Sequence, residues 1–155
     1  MSTHTILESP VGELTLVAED GALTGVYFPH HWTRPDRTTF GPPADFPEAR
    51  TQLTEYFAGE REEFDLPTRA TGDEFERAVW AEISRVPYGS TVTYGEIAAA
   101  VGGHARDVGG AVGRNPLSIL VACHRVVGKD RKLTGYAGGL KRKRYLLDLE
   151  SPSLW

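Results

Sequence analysis

Thr93-Tyr94-Gly95-Glu96-Ile97-Ala98-Ala99-Ala100-Val101-Gly102-Gly103-His104-Ala105-Arg106-Asp107-Val108-Gly109-Gly110-Ala111-Val112-Gly113-Arg114-Asn115-Pro116 decides how this chain is built. Thr93 and Glu96 form a Thr-x-x-Glu capping box, which predicts a helix start. Ile97, Ala98 and Val101 then fall on one face, and Gly102-Gly103 stops the helix. A second helix begins near Ala105, with Val108, Ala111 and Val112 inward, and ends at Asn115-Pro116. Two short helices joined by a Gly-containing turn match a helix-turn-helix. By pattern alone they equally match a helical hairpin that binds nothing.

Upstream, Asp73 and Glu76 form another capping arrangement. The helix they open carries Phe75, Val79, Ile83 and Val86 on one face, and Pro87-Tyr88-Gly89 breaks it. Residues 3–28 read as β: Thr5–Leu7, Leu14–Val17 and Leu23–Phe28, with turn signals at Ser9–Gly12 and Glu19–Gly21. Pro29, Pro35, Pro42 and Pro43 make 29–45 a loop. Pro47 opens a helix with Leu53, Tyr56 and Phe57 on one face, and Gly59 ends it. Glu63–Leu66 reads as one more short strand.

Downstream, Leu117–Val121 is a short apolar run that is expected to be buried and to deliver Cys123 from the core. Residues 128–139 are polar and Gly-rich, hence a loop. Leu140–Glu150 reads as a last helix, with Tyr145, Leu146 and Leu149 inward and Lys141–Arg144 mostly outward. The expected fold class is α+β: a small N-terminal antiparallel sheet with a helix, then a mostly helical C-terminal subdomain with a winged helix-turn-helix. The expected division is 1–67, a linker over 68–72, and 73–155.

The chain has 155 residues and a formal net charge of −4, which by itself argues against a polyanionic partner. The charges are unevenly placed. From His104 to Arg144 there are ten Lys and Arg and two acids; the rest of the chain has seven and nineteen. Such asymmetry suits a local anionic partner, and equally a basic solvated face. No stretch is apolar enough to span a membrane. Met1–Thr5 lacks the basic-then-apolar pattern of a signal peptide. One cysteine excludes an internal disulfide and a Cys-rich zinc site, and suits a reducing, cytoplasmic compartment.

That cysteine lies in Val121-Ala122-Cys123-His124-Arg125-Val126. A cysteine reacts as its thiolate and needs a base or positive surroundings. Adjacency alone does not make Cys123 and His124 a dyad, since neighbours on an extended segment face opposite ways. Taken alone, the pair fits a buried structural cysteine beside a satisfied histidine better than a catalytic dyad.

The wider setting is more specific. Asn115-Pro116, Val121–Gly128 and Gly135-Tyr136-Ala137-Gly138-Gly139-Leu140, with Thr93–Ala98 and Arg106–Ala111 at matching spacings, strongly resemble the O6-alkylguanine-DNA alkyltransferases. The resemblance runs from about Phe75 to Glu150. The N-terminal half matches only in layout, that of a ribonuclease H-like subdomain.

The resemblance implies irreversible, single-turnover transfer of an alkyl group from O6-alkylguanine in DNA to Cys123. O4-alkylthymine is a second candidate substrate. It implies that His124 draws the cysteine proton through a water, and that Glu150 orients His124. Asn115 would tie the helical turn to the active-site segment. Tyr94 would help turn the nucleotide out and protonate the leaving guanine. Arg106 would fill the gap left by the flipped base. Ala105, Gly109, Arg114 and Arg125 join Arg106 and Tyr94 as expected DNA contacts. Val126, Tyr136, Ala137 and Gly138 would line the guanine pocket.

The implied partner is double-stranded DNA, held through its minor groove by a monomer, with cooperative binding along DNA a possible addition. No metal or other cofactor is called for, because the acceptor is the protein's own sulfur. Extrusion of the base follows from the chemistry, since a buried sulfur cannot reach O6 inside the stack.

Two residues depart from the family pattern. Ala122 stands where proline is usual, which frees φ there. Asp107 follows the finger arginine, where a small apolar residue is usual. An acid there favours the helix dipole and disfavours nearby phosphates. Two other functions use the same elements: a non-enzymatic lesion-binding protein and a winged-helix transcription regulator. A cysteine hydrolase would need an oxyanion site, for which the sequence offers no signal.

Overall fold

The structure is a computed structural model that describes residues 2–29, 40–136 and 138–151. Residues 30–39 of the expected proline-rich loop, and Ala137, lie outside the described residues.

Three strands, β1 (Ser2–Ser9), β2 (Gly12–Glu19) and β3 (Ala22–Tyr27), form an antiparallel sheet in that order. The β2–β3 turn is Asp20-Gly21, with φ of 53° and 82°. Positive φ at both central residues is the type I′ turn that matches strand twist and favours Asp-Gly. The central strand β2 is buried along Leu14–Val17 because both its faces are covered. Leu14 and Leu16 pack with Ala49, Leu53 and Tyr56 of α1 (Pro47–Phe57). On the opposite face Val17 clusters with Tyr27 and Phe40.

The expected strand over Glu63–Leu66 does not form. Gln52 of α1 takes both backbone groups of Asp65, donating to its carbonyl and accepting from its amide. Those groups are therefore not available for a ladder, while Phe64 and Leu66 pack against the core. The chain instead touches the sheet slightly later, where Leu23 N–H donates to Pro67 O and Arg69 N–H donates to Leu23 O, both at 2.8 Å.

The second half begins with α2 (Glu74–Ile83), which carries the full Asp73–Glu76 capping box. The strand β4 (Val92–Thr93) leads into α3 (Tyr94–Val101), where Thr93 and Glu96 cap each other. The helix ends on Gly102 at φ 78°, a left-handed position that glycine adopts without strain. Helix α4 (Ala105–Gly113) follows, and its Val108, Ala111 and Val112 are buried against α2 and α3. A two-residue strand β5 (Val126–Val127) pairs in parallel with β4.

The last helix, α5 (Leu140–Glu150), has a different inward face from the expected one. Its buried residues are Lys143, Leu146, Leu147 and Glu150, at i, i+3, i+4 and i+7. Tyr145 is 38% exposed, and Leu149 is only half-buried. Lys141 and Arg144 do face outward. Lys143 and Arg142 turn inward because carbonyls await them: Lys143 Nζ donates to Thr134 O, and Arg142 donates to Val11 O and Gly138 O.

The apolar run after α4 is buried at Leu117, Ser118 and Ile119. It docks on the free edge of β3, where Val26 N–H donates to Pro116 O at 2.8 Å and Ser118 N–H donates to Val26 O at 3.3 Å. The sheet of the first half is thus closed by the segment that carries the second half to Cys123. Bridging also hides backbone groups that an open strand edge would expose.

Candidate active site

Cys123 begins a single 3-10 turn, Cys123–Arg125. Just before it, Ala122 has φ −76° and ψ 63°, and Cys123 N–H donates to Val121 O at 2.7 Å. These are the angles and the bond of an inverse γ-turn. The two tight turns in succession replace the extended backbone considered from the sequence, and they bury both Cys123 and His124.

Asn115, itself buried, fixes this segment from the end of α4. Its Nδ2 donates to Val121 O and to Cys123 Sγ, each at 2.9 Å. Its Oδ1 accepts from Leu117 N–H at 2.9 Å. One side chain thus holds both ends of the 115–123 loop and touches the sulfur. Cys123 Sγ also lies 3.6 Å from Val112 O, to which it donates. Burial pushes the Cys123 thiol up to about 12, against the opposing pull of the Asn115 hydrogen bond and the Lys143 charge. At neutral pH the group is a thiol, so reaction requires a base at the moment of transfer.

His124, the next residue, is a candidate for that base. Its Nε2 lies 2.7 Å from Glu150 Oε2, and its side chain is 0% exposed. Burial lowers the His124 pKa, with Arg125 and Lys143 adding to that effect and Glu150 opposing it, so the ring is neutral at pH 7. With the Nε2 proton directed at Glu150, the lone pair sits on Nδ1. Nδ1 is buried and has no hydrogen-bond partner among the described residues.

Four hydrogen bonds converge on Glu150. Oε2 accepts from His124, from Tyr56 Oη at 2.6 Å and from Arg125 Nη2 at 3.1 Å, while Oε1 accepts from Arg125 Nε at 2.8 Å. Burial alone would raise its pKa. The hydrogen bonds and charges of His124 and Arg125 outweigh burial and hold the carboxyl at about 2.

A cleft of about 320 Å³ opens over the sulfur, lined by Tyr94, Gly109, Val112, Asn115, Ser118, Cys123 and Tyr136 among others. Tyr94, at the first turn of α3, is half-buried, and its hydroxyl lies between Thr134 Oγ1 at 3.3 Å and Gly135 O at 3.5 Å. Gly109, on α4, keeps that wall low. Tyr136 stands edge-on to Phe28, with its hydroxyl buried and without a hydrogen-bond partner among the described residues.

The structure therefore brings Cys123, His124, Glu150, Asn115, Tyr94, Gly109 and Tyr136 together. Other expected residues fall elsewhere. Ala105 and Arg106 are exposed at the start of α4, and Arg106 borders a second cleft with Phe75, Asp107, Gly110 and Arg114. Arg114 is paired with Glu76. Val126 is fully buried in β5, and Gly138 is packed under Phe28 and Tyr136; neither lines the cleft.

Arg125 needs a correction. It was expected to face DNA, but its side chain is only 11% exposed. It forks onto Glu150, donates to Val86 O at 2.7 Å and lies over the Tyr88 ring. A buried carboxylate needs a buried counter-charge, and Arg125 is that charge.

Three residues of the site escaped the sequence reading. Tyr56 reads as an ordinary apolar-face residue of α1, and only the tertiary fold carries its hydroxyl to Glu150. Ser118 is hidden in an apolar run. Lys143 could have been found, because 143, 146, 147 and 150 share a helical face that ends on Glu150. Its burial lowers the ammonium to about 8, opposed by the nearby Cys123.

Comparison with known proteins agrees with this arrangement. A family model described as 6-O-methylguanine DNA methyltransferase, DNA binding domain, matches residues 74–152, and one described as the ribonuclease-like domain of the same methyltransferase matches residues 3–70. A methylated-DNA–protein-cysteine methyltransferase of Mycobacterium tuberculosis is 46% identical, over 97% of this chain and 93% of its own. The constitutive enzyme of that name from Bacillus subtilis is 41% identical, over 97% and 96%. The crystal structure of M. tuberculosis OGT in complex with DNA superposes with a TM-score of 0.90 at 44% identity, covering 97% of this chain and 93% of that one. The chain belongs to the 6-O-methylguanine DNA methyltransferase family.

Proposed function

We propose that this protein repairs DNA by moving the alkyl group of O6-alkylguanine onto Cys123, once per molecule. The observation that carries the proposal is a lone cysteine at the floor of a cleft, beside a neutral histidine that a carboxylate holds by its Nε2 proton. A nucleophile, a base and a group that orients the base are the minimum set for activating a thiol.

The Cys123 proton passes through a water to His124 Nδ1. The sulfur forms a bond to the alkyl carbon as that carbon leaves O6. The electron pair of the broken C–O bond stays on guanine, which takes a proton from Tyr94 Oη. The thioether has no route back, so the protein is consumed.

DNA is the partner, in keeping with the DNA-bound relative. Helices α3 and α4 act as a winged helix-turn-helix, with α4 in the minor groove and Arg106 in the space left by the turned-out base. The small residues along one wall of the cleft, Gly109 and Gly113 of α4, support close approach of a base. Extrusion costs a few kcal/mol, and less for a base whose pairing is already weakened. Residues 1–67 and 73–155 act as two subdomains. The unpaired thiol suits a reducing compartment, the cytoplasm.

Intact-mass measurement after incubation with a duplex carrying one O6-methylguanine tests the proposal. The expected result is a gain of one methylene on the wild-type chain and none on Cys123→Ser. Lesion binding without a mass gain would instead favour a protein that recognises the lesion and leaves it in place.

A further inference from the structure

Glu150 receives one of its four hydrogen bonds from the other half of the chain. Tyr56 belongs to α1, 94 residues away, and is 1% exposed. Its ring is set by Phe57 and Phe64, both at 5.4 Å between centroids, and by Tyr88 at 6.3 Å. A phenylalanine would satisfy that aromatic cluster. The hydroxyl adds nothing to the packing and would be costly to bury without a partner. Its partner is the oxygen of Glu150 that also holds His124.

We propose that Tyr56 is a positioning residue for alkyl transfer: its hydroxyl anchors Glu150 Oε2, so that the carboxylate holds His124 by Nε2–H and leaves Nδ1 free to take the cysteine proton. This rests on the transfer reaction proposed above, and it makes the N-terminal half part of the chemistry.

The physical reason is competition for one anion. A carboxylate has about four acceptor sites, two on each oxygen, and here three donors converge on Oε2. Tyr56 and Arg125 draw off negative charge that His124 would otherwise feel. Without the Tyr56 hydroxyl, Glu150 attracts the imidazolium more strongly, and His124 takes up a proton at higher pH. A protonated His124 cannot serve as the base. The groups facing the pair are Tyr56 from α1, Tyr88 from the loop after α2, Cys123 and Arg125 from the catalytic turn, Tyr136 from the following loop and Lys143 from α5. Of these, Tyr56 and Arg125 bond to Glu150 directly alongside His124, and Tyr56 is the one whose hydrogen bond can be deleted without removing a charge.

Tyr56→Phe tests the proposal in two ways: the single-turnover transfer rate between pH 5 and 8.5, and the NMR titration of the His124 ring. A charge-assisted hydrogen bond of this kind corresponds to a shift on the order of one pH unit. The acidic limb of the rate profile is expected to move up by about that much, with roughly tenfold slower transfer below the limb and wild-type rates at pH 8.5. The His124 titration moves with it. Phe64→Leu disturbs the same aromatic cluster but keeps the hydroxyl; it lowers Tm and leaves the limb in place. Should Tyr56→Phe fold poorly, a difluorotyrosine at position 56 keeps the ring and strengthens the donor, and the limb is then expected to move down.

A wild-type profile and a wild-type His124 titration in a Tyr56→Phe chain that transfers would overturn the role of Tyr56. A wild-type chain that transfers nothing would overturn the reaction itself, and the His124 titration would still decide whether Tyr56 acts on the histidine through Glu150.

Discussion

Ala122 immediately precedes Cys123, and its backbone already has the shape a proline would impose. Its φ of −76° lies within the range of the pyrrolidine ring, and its N–H takes part in none of the described backbone hydrogen bonds. The γ-turn and the Asn115 bonds hold Cys123 without help from a ring. Ala122→Pro is therefore expected to stabilise the fold by about 0.4–1 kcal/mol, mostly by restricting the unfolded chain. Thermal unfolding should show a Tm higher by roughly 1–4 °C, with little change in transfer rate. Glu150 stands at the other extreme. Glu150→Gln leaves the Arg125 guanidinium buried without a counter-charge, a defect that costs about 3–5 kcal/mol. Chemical denaturation should register that loss, and the methylene gain should fall below detection because His124 is no longer oriented.

At the scale of elements, the loop between β5 and α5 is held by what lies beneath it. A Cβ on Gly138 would sit 2.7 Å from two ring carbons of Phe28 and 3.0 Å from Tyr136 Cε2. Phe28 is fully buried and cannot retreat. Gly138→Ala is thus expected to cost about 1–3 kcal/mol through overpacking. Because Tyr136 lines the cleft, transfer should also slow, and measuring Tm and rate on the same sample checks both. The same reasoning explains α5. Its charged N-terminal half looks solvent-facing in sequence, yet Arg142 and Lys143 reach carbonyls on the β1–β2 hairpin and on this loop. Helix α5 therefore positions the loop and the carboxylate together.

Across the whole molecule, the basic excess after His104 is not a single DNA-facing surface. Lys143 is buried, Arg125 is largely covered, Arg142 bonds Val11 O, Arg114 pairs with Glu76, and Arg131 pairs with Glu96. Much of the charge counted in the sequence serves the fold. The buried groups also set the response to acid. His124 and Glu150 both have folded pKa values below their ordinary 6.5 and 4.5, so the folded state binds fewer protons than the unfolded chain in those windows. Their stabilisation is complete above about pH 6.5. It is lost first as pH falls from 6.5 toward the folded value of His124, and again from 4.5 toward 2. The Glu150 part is on the order of 3 kcal/mol. Denaturant midpoints between pH 7 and pH 3 should fall along that course in the wild type, with a shallower fall below pH 4.5 in Glu150→Gln.

Much of this protein is local and therefore legible in sequence. The Asp20-Gly21 turn, the two capping boxes, the Gly102 stop and the buried face of α4 depend on residues a few positions apart and were readable; on α2 the buried Trp80 was not, and Phe75 is only half-buried. The likeness of 75–150 to a known family was readable too, and it singled out Cys123, His124, Glu150 and Asn115. Tertiary structure decided the rest, because it turns on contacts between residues far apart in the chain. Burial of Arg125, the inward turn of Lys143 and the missing strand at Glu63–Leu66 each depend on a distant partner: Glu150, Thr134 and Gln52. The docking of Pro116–Ser118 on β3 and the reach of Tyr56 to Glu150 are of the same kind. Sequence singled out Cys123 and His124 as the proposed nucleophile and base; only the fold could show that Glu150, bonded to His124, is held from both halves of the chain.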